Sequence, residues 1–363
     1  MALTTLWLSD FRCFRDARFD FDPTGPTVMH GMNGTGKTSV LEAVGWLATQ
    51  RSFRRARRET LVRTGAHRAI VRAETAVGER HILVEAEIPA DGPPRTQVNR
   101  NVVRRRSQLA EALRVTVFSP EDLHLVQSGP ALRREFLDDV LADASPRLEA
   151  LVNEVDRILR HRGAVLRQAH GTVTDDIADT LEVWDTRLGA SGTALATERA
   201  KLADELMPLV SGAYQRLAAT SDRVTLNYRR SWSGDLHDAL LRARTDDVRR
   251  QTTSVGPHRD ELDITIGARA IRSHASQGEQ RSAALALRLA THDFRRHLLP
   301  DPPVLLLDDV FSELDPHRAT ALLELLPTGQ VLLTTAVDPP AAVRASRVLE
   351  VTSDSESPVT GRR

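Results

Sequence analysis

The stretch 31-GMNGTGKT-38 matches the phosphate-loop pattern G-x-x-x-x-G-K-[ST] at every defined position. The apolar run 27-TVMH-30 before it reads as a strand, and 38-TSVLEAVGWLATQ-50 after it is rich in helix formers, which is the context the pattern needs. Gly31, Gly34 and Gly36 let the backbone curl close to a phosphate chain, so that successive N–H groups and the following helix N-terminus point at one anion. Lys37 would reach the outer phosphates, and the Thr38 hydroxyl would be a ligand of the accompanying magnesium ion. Met32, Asn33, Thr35 and Ser39 belong to the same cradle. A glycine turn that only starts a helix would not need Lys-Thr at this offset.

A phosphate loop needs an acid from elsewhere in the chain, and 303-PVLLLDD-309 offers an apolar strand ending in two carboxylates. Asp308 fits the residue that holds magnesium, and Asp309 the position for orienting an attacking water. The pattern then repeats as the helix 318-RATALLELL-326 and the strand 331-VLLTT-335. Upstream, 276-SQGEQ-280 precedes a long helix of Ala, Leu and Arg; a serine and a glycine there suit an anion-binding cap, although many helices begin this way.

Between the phosphate loop and these blocks, strands and arginines dominate. Residues 3–8 and 17-ARFDFD-22 read as a hairpin leading into the phosphate-loop strand. The segment 51-RSFRRARRETLVRTG-65 crowds Arg51, Arg54, Arg55, Arg57 and Arg58 together, as a solvated loop, a contact to a DNA backbone, or a clamp on nucleotide at the mouth of the site. The alternating segments 68-RAIVRAETA-76 and 80-RHILVEAEIP-89 read as paired strands, and 95-RTQVNRNVVRR-105 as a hairpin turning at Asn99, Arg100 and Asn101. Arg104, Arg105 and Arg106 at its edge are a second candidate contact for DNA. Ser119-Pro120-Glu121-Asp122 is a helix start, and Arg133 and Arg134 are either solvated or face a polyanion.

From residue 131 to 219 the apolar residues recur with helical period, and 171-GTVTDDIADT-180 separates helices. The expected fold class is α/β: a phosphate-loop core sheet plus an antiparallel β layer, with a short all-helical arm. The expected division is 1–130 for the first part of the head, 131–219 for the arm, 220–350 for the rest of the head and 351–363 for a polar disordered tail.

Composition bounds the function without choosing it. The 363 residues have room for about two domains. Basic and acidic side chains balance at 49 each, so any electrostatic footprint for nucleic acid must be local. The single cysteine, Cys13, excludes an intramolecular disulfide and a cysteine-rich metal site, and its expected role is a small buried hydrophobe. No secretory signal is read at the N-terminus and no run reaches the roughly 18 apolar residues of a membrane span, so a cytoplasmic protein with no membrane partner is expected.

Six blocks taken in order, GMNGTGKT, FSPEDLHLV, RREFLD, GPHRDEL, SQGEQR and LLLDDVFSELD, resemble the RecF family of bacterial DNA replication and repair proteins, itself similar to the SMC/Rad50 branch of the ABC-type ATPases. The resemblance implies an ATPase head in which two copies share ATP and Mg2+. Residues 31–38 and Asp308 would bind the nucleotide, and Asp309 would stand at the catalytic carboxylate position, where most ABC ATPases carry glutamate. Ser276, Gln277 and Gly278, with Glu279 beside them, would be the signature that covers phosphates held by the opposite subunit. The block around Glu121 would sense nucleotide, residues 312–315 would cross the dimer interface, and Thr335 would sit where transporters carry a switch histidine. The resemblance further implies an ATP-dependent homodimer, binding to double-stranded DNA near single-strand gaps, slow hydrolysis as a release switch, and recruitment of the RecR mediator for recombinase loading.

Other readings fit less of the chain. A DNA-end-tethering subunit like Rad50 would carry a long coiled coil and a Cys-x-x-Cys hook, and a chromosome-structural ATPase would also need a longer arm. A small-molecule kinase would leave the signature block and 303-PVLLLDDVFSELD-315 without a purpose.

Overall fold

The structure is a computed structural model that describes residues 1–336 and 345–352, without the side chains of Arg106 and Glu313. The expected tail therefore lies outside the described residues beyond Thr352, as does the side-chain role expected of Arg106. The chain divides into two compact units, Met1–Asp122 with Arg216–Ala219 and Leu285–Arg363, and Leu123–Gln215 with Thr220–Ala284.

In chain order, the first unit opens with β1 (Ala2–Phe11), β2 (Phe14–Asp20), β3 (Pro26–His30), α1 (Lys37–Thr49), β4 (Arg68–Val77), β5 (Arg80–Pro89), β6 (Arg95–Val98), β7 (Asn101–Val102), α2 (Arg106–Ala110) and β8 (Val115–Phe118). An antiparallel sheet runs in the order β2-β1-β4-β5-β6-β7. Its inward positions alternate, as in β5, where Ile82, Val84, Ala86 and Ile88 are buried with more accessible residues between them. At the β6–β7 turn Asn99 and Arg100 both take positive φ, 49° and 68°, which suits a two-residue hairpin whose twist matches the strands.

The helix after the phosphate loop is buried almost all round, unlike a surface helix with one apolar stripe. Val40, Leu41, Val44 and Leu47 share one core with Leu6, Leu8, Val71 and Val84 of the antiparallel sheet and with Leu306 and Leu332 of a second sheet. Those last two residues lie beyond the second unit, whose elements are α3 (Leu123–Gln127), α4 (Pro130–Ala144), α5 (Pro146–Gln168), α6 (Asp175–Ala218), β9 (Val224–Arg229), α7 (Leu236–Arg250), β10 (Glu261–Ile266), β11 (Arg269–Ala270), α8 (Ile271–His274) and the first turns of α9 (Gln277–Leu298). The chain then adds β12 (Val304–Leu307), α10 (Pro316–Leu325), β13 (Val331–Thr335) and β14 (Arg347–Glu350) to the first unit. Its second sheet has the order β14-β3-β13-β12-β8 and is parallel throughout. All residues of β12 and β13 are buried, the continuous apolar reading expected of parallel strands covered on both faces.

In the second unit the described residues up to Gln215 form helices and the turns between them, and the break between α5 and α6 spans 169–174, taking in the first four residues of 171-GTVTDDIADT-180. The unit also takes in Thr220–Ala284, where β9, β10 and β11 form a small antiparallel sheet in the order β11-β10-β9.

Candidate functional site

In an open parallel sheet the loops beyond the carboxyl ends of the strands converge on one crevice. Here the phosphate loop follows β3, Asp308 and Asp309 follow β12, and β13 lies between these two strands. Gly36, which caps α1, has φ 101°, and a Cβ on it would lie 2.6 Å from both Cys13 Sγ and Phe14 Cζ. Only glycine fits this position, for backbone and for space.

Lys37 Nζ donates to the loop's own carbonyls, Gly31 at 2.6 Å and Met32 at 2.8 Å. Thr38 Oγ1 and Thr334 Oγ1 each donate to Asp308 Oδ1 at 2.8 Å, and the Asp309 backbone N–H donates to Thr334 Oγ1 at 2.9 Å. Asp309 adopts φ 47°, a left-handed conformation that aspartate tolerates at a cost. Its Oδ1 is buried without a hydrogen-bond partner. A chamber of about 480 Å³ gathers Cys13, Lys37, Thr38, Arg54, Asp309 and Thr334 on its walls.

Burial pushes the Asp308 carboxyl above its ordinary range; the Thr334 and Thr38 hydroxyls oppose this, the neighbouring Asp309 charge adds to it, and Arg54 counters it. Burial pushes Lys37 down, against the pull of Asp309 and Asp308. Hard oxygen donors on Thr38 and Asp308, an unpartnered carboxylate oxygen on Asp309 and a lysine at the glycine loop form a donor set that fits a phosphate chain with a magnesium ion.

Arg54, grouped in the sequence with candidate DNA contacts, lies on this chamber, where its charge acts on Asp308. Its loop is held by groups that sequence reasoning missed. Glu42 of α1 is fully buried; Arg12 grips it through two hydrogen bonds of 2.8 and 2.7 Å, and Ser52 Oγ donates to it at 2.5 Å. One carboxylate thus fixes the β1–β2 turn and the start of the arginine loop against α1. The available signal was the glutamate itself, a charge inside the apolar run 40-VLEAVGWLA-48 that must find partners.

Arg51, Arg55 and Arg57 are exposed, as are Arg104 and Arg105, and none of these lines the chamber. Gln108 Oε1 accepts the backbone N–H groups of both Arg104 and Arg105, capping α2. Cys13 departs from its expected burial: it sits in the tight β1–β2 turn, exposed at the chamber.

In the second unit Ser276 begins α9 through a capping box. Its N–H donates to Glu279 Oε2 at 2.6 Å, and its hydroxyl accepts the Glu279 N–H at 3.3 Å. Glu279 also receives Arg269 at 2.9 Å, and these donors hold its carboxyl below the usual range. Glu279 thereby ties the start of α9 at Ser276 to Arg269. Ser276 and Gln277 are exposed, Gly278 is half-buried, and Gln280 turns inward to the Ile271 carbonyl and the Gln127 side chain.

Two of the sequence blocks meet each other. Arg133 is buried and makes paired hydrogen bonds to Glu261 at 2.9 and 3.1 Å, and Arg134 donates to the Asp260 carbonyl at 2.7 Å. Arg199 of α6 links Asp138 to the Pro257 carbonyl, and Tyr228 donates to Asp260. Arg133 is therefore neither solvated nor turned to a polyanion, and with the half-buried Arg134 it locks RREFLD to GPHRDEL. Burial pushes His258 of that block down to about 4, which keeps it neutral.

Residues 2–358 match the family described as RecF/RecN/SMC N terminal domain. A DNA replication and repair protein RecF of Streptomyces avermitilis is 40% identical over 354 residues, covering 93% of this chain and 94% of its own length. Another of Frankia alni is 40% identical over 369 residues, covering 96% and 97%. A solved structure of the recombination mediator protein RecF-ATP in the RecFOR pathway is similar in fold, with a TM-score of 0.89 and 24% identity over 100% of this chain and 98% of its own.

Proposed function

The chain belongs to the RecF family, and from that premise we propose that it is an ATP-dependent DNA-binding switch: two copies close on double-stranded DNA near single-strand gaps and are released by slow ATP hydrolysis. The observation that carries the nucleotide site of this reading is the chamber that gathers Lys37, Thr38 and Asp309, with Thr38 bonded to Asp308 and one Asp309 oxygen buried and unpartnered.

The loop 31–38 and Lys37 would hold the triphosphate, and Thr38 and Asp308 would hold Mg2+. ATP, when bound, supplies concentrated negative charge and a hydrolysable anhydride. The free Asp309 oxygen is suited to accept a hydrogen bond from a water, and its short side chain fits slow turnover. Arg54 would add positive charge on the phosphate side. Ser276, Gln277 and Gly278 of a second copy would close the site, with Glu279 fixing the serine.

Arg51, Arg55, Arg57, Arg104 and Arg105 are exposed and would meet DNA phosphates, which gives salt-sensitive binding with little base preference. Recombinase loading through the RecR mediator is the downstream step that the resemblance to RecF implies for this switch.

The test is Lys37→Met. Losing a charged donor in the chamber should weaken ATP binding by about 100-fold and remove ATP-dependent retention on DNA. Unchanged ATP affinity in calorimetry would overturn the phosphate-loop assignment.

A further inference from the structure

Within the second unit the segment 230-RSWS-233 and one side of α7 wall an open groove of about 580 Å³. Ala239 and Ala243, one turn apart on α7, are small and leave room, with Arg242 beside them and Val255 at the edge. No carboxylate stands among these described lining residues. Asp235 and Asp238 lie further toward the start of α7, outside the lining.

The segment is held in place. Ser231 donates its N–H to Asp260 Oδ1 at 2.8 Å and its hydroxyl to the Gly256 carbonyl at 2.9 Å, and it accepts the Gly256 N–H at 3.0 Å. Arg230 donates to Thr197 Oγ1 at 3.0 Å and lies 5.6 Å from the centre of the Trp232 ring. Its guanidinium pairs with no carboxylate, and Arg242 makes no hydrogen bond or ion pair, among the described residues. Trp232 is 9% exposed, and its Nε1–H is buried without an acceptor.

Two guanidinium groups with no carboxylate partner are donors only, so the groove calls for an anionic acceptor. A protein segment would need an apolar anchor in a pocket, but the Trp232 ring is buried beneath Arg230 and no large apolar side chain is offered. A phosphodiester needs only charge and donors in fixed positions. We propose that this groove binds a phosphate of the DNA backbone, a contact on the arm-bearing unit additional to the exposed arginines of the first unit. It rests on the DNA-binding reading given above.

The experiment is fluorescence anisotropy of a labelled duplex with a single-strand gap, titrated with the full chain across a salt series. Wild type is compared with Arg242→Gln, Arg242→Lys and the double variant Arg230→Gln/Arg242→Gln. Each lost phosphate contact should lower the log–log salt slope by about 1 and weaken binding at low salt by about tenfold, with Arg242→Lys close to wild type. ATP affinity should stay unchanged in every variant, and the melting temperature in both Arg242 single variants, since Arg242 is an exposed side chain distant in sequence from the phosphate loop. Equal slopes and affinities in wild type and both glutamine variants would overturn the groove and leave the DNA-binding reading standing. Poly-glutamate binding that is lost in Arg242→Gln while DNA binding is unaffected would overturn it in favour of an acidic protein partner. A wild type that binds no DNA with or without ATP would overturn the parent reading and the groove together.

Discussion

In the phosphate chamber a buried Asp309 oxygen has no partner and Lys37 is satisfied only by carbonyls of its own loop. In the second unit, Arg162 is fully buried and donates Nε to Asp185 at 2.7 Å and Nη1 to Asp247 at 2.8 Å and Thr253 at 2.9 Å. Asp185 also receives Arg244, and Asp247 the Ser254 N–H. One region leaves an acceptor unmatched on a residue that lines a chamber, which suits a site for an anion and a cation. The other sets one buried arginine against two carboxylates, with only Nη2 of Arg162 left unpartnered, and holds helices α5, α6 and α7 in one arrangement.

This contrast can be broken most severely at the ionic core. Asp247→Asn should leave Arg162 with one carboxylate fewer in a water-free site and lower unfolding stability by roughly 3–5 kcal/mol in urea titration, with ATP affinity of the folded chain unaltered. Replacing Arg162, Asp185 and Asp247 together by apolar residues of similar size should cost far less, because no uncompensated charge stays behind. A single Asn variant as stable as wild type would show that the core does not hold the helices.

A smaller effect sharpens the other half. Thr334→Val removes one hydroxyl donor to Asp308 and the acceptor for the Asp309 N–H, for about 1 kcal/mol of stability. Asp308 is already raised by burial, and losing a donor that favours its ionised form raises it further. Its raised folded pKa means that the unfolded chain releases this proton first, so its contribution to apo stability falls as pH rises through that window. Magnesium needs the ionised form, so Mg2+-dependent ATP affinity should rise with pH, and the Thr334→Val curve should lie on the alkaline side of wild type. Coincident curves would remove Thr334 from the site.

The two regions also differ in how far they could be read beforehand. The phosphate loop is eight consecutive residues because each supplies an amide, a turn or a side chain to one anion, and Asp308 and Asp309 are marked by ending an apolar strand. Thr334 was legible only as one of two adjacent threonines. Successive strand residues face opposite sides, so the register of β13 against β12 decides which one meets Asp308, and Thr335, the residue singled out by resemblance, is its buried neighbour. Nor could composition tell which arginine in 51–58 turns into the chamber, since that depends on the Glu42–Ser52 anchor. The ionic core left no local trace, because Arg162 reaches partners 23, 85 and 91 positions away.

A half-site that needs a second copy is the central claim, and the mass of the full chain in solution tests it most directly. With ATP and Mg2+ on gapped DNA, wild type should show the mass of two chains on the duplex, and Ser276→Arg should bind ATP yet stay single. A wild type that stays single under these conditions, or a Ser276→Arg dimer as complete as wild type, would contradict the shared site.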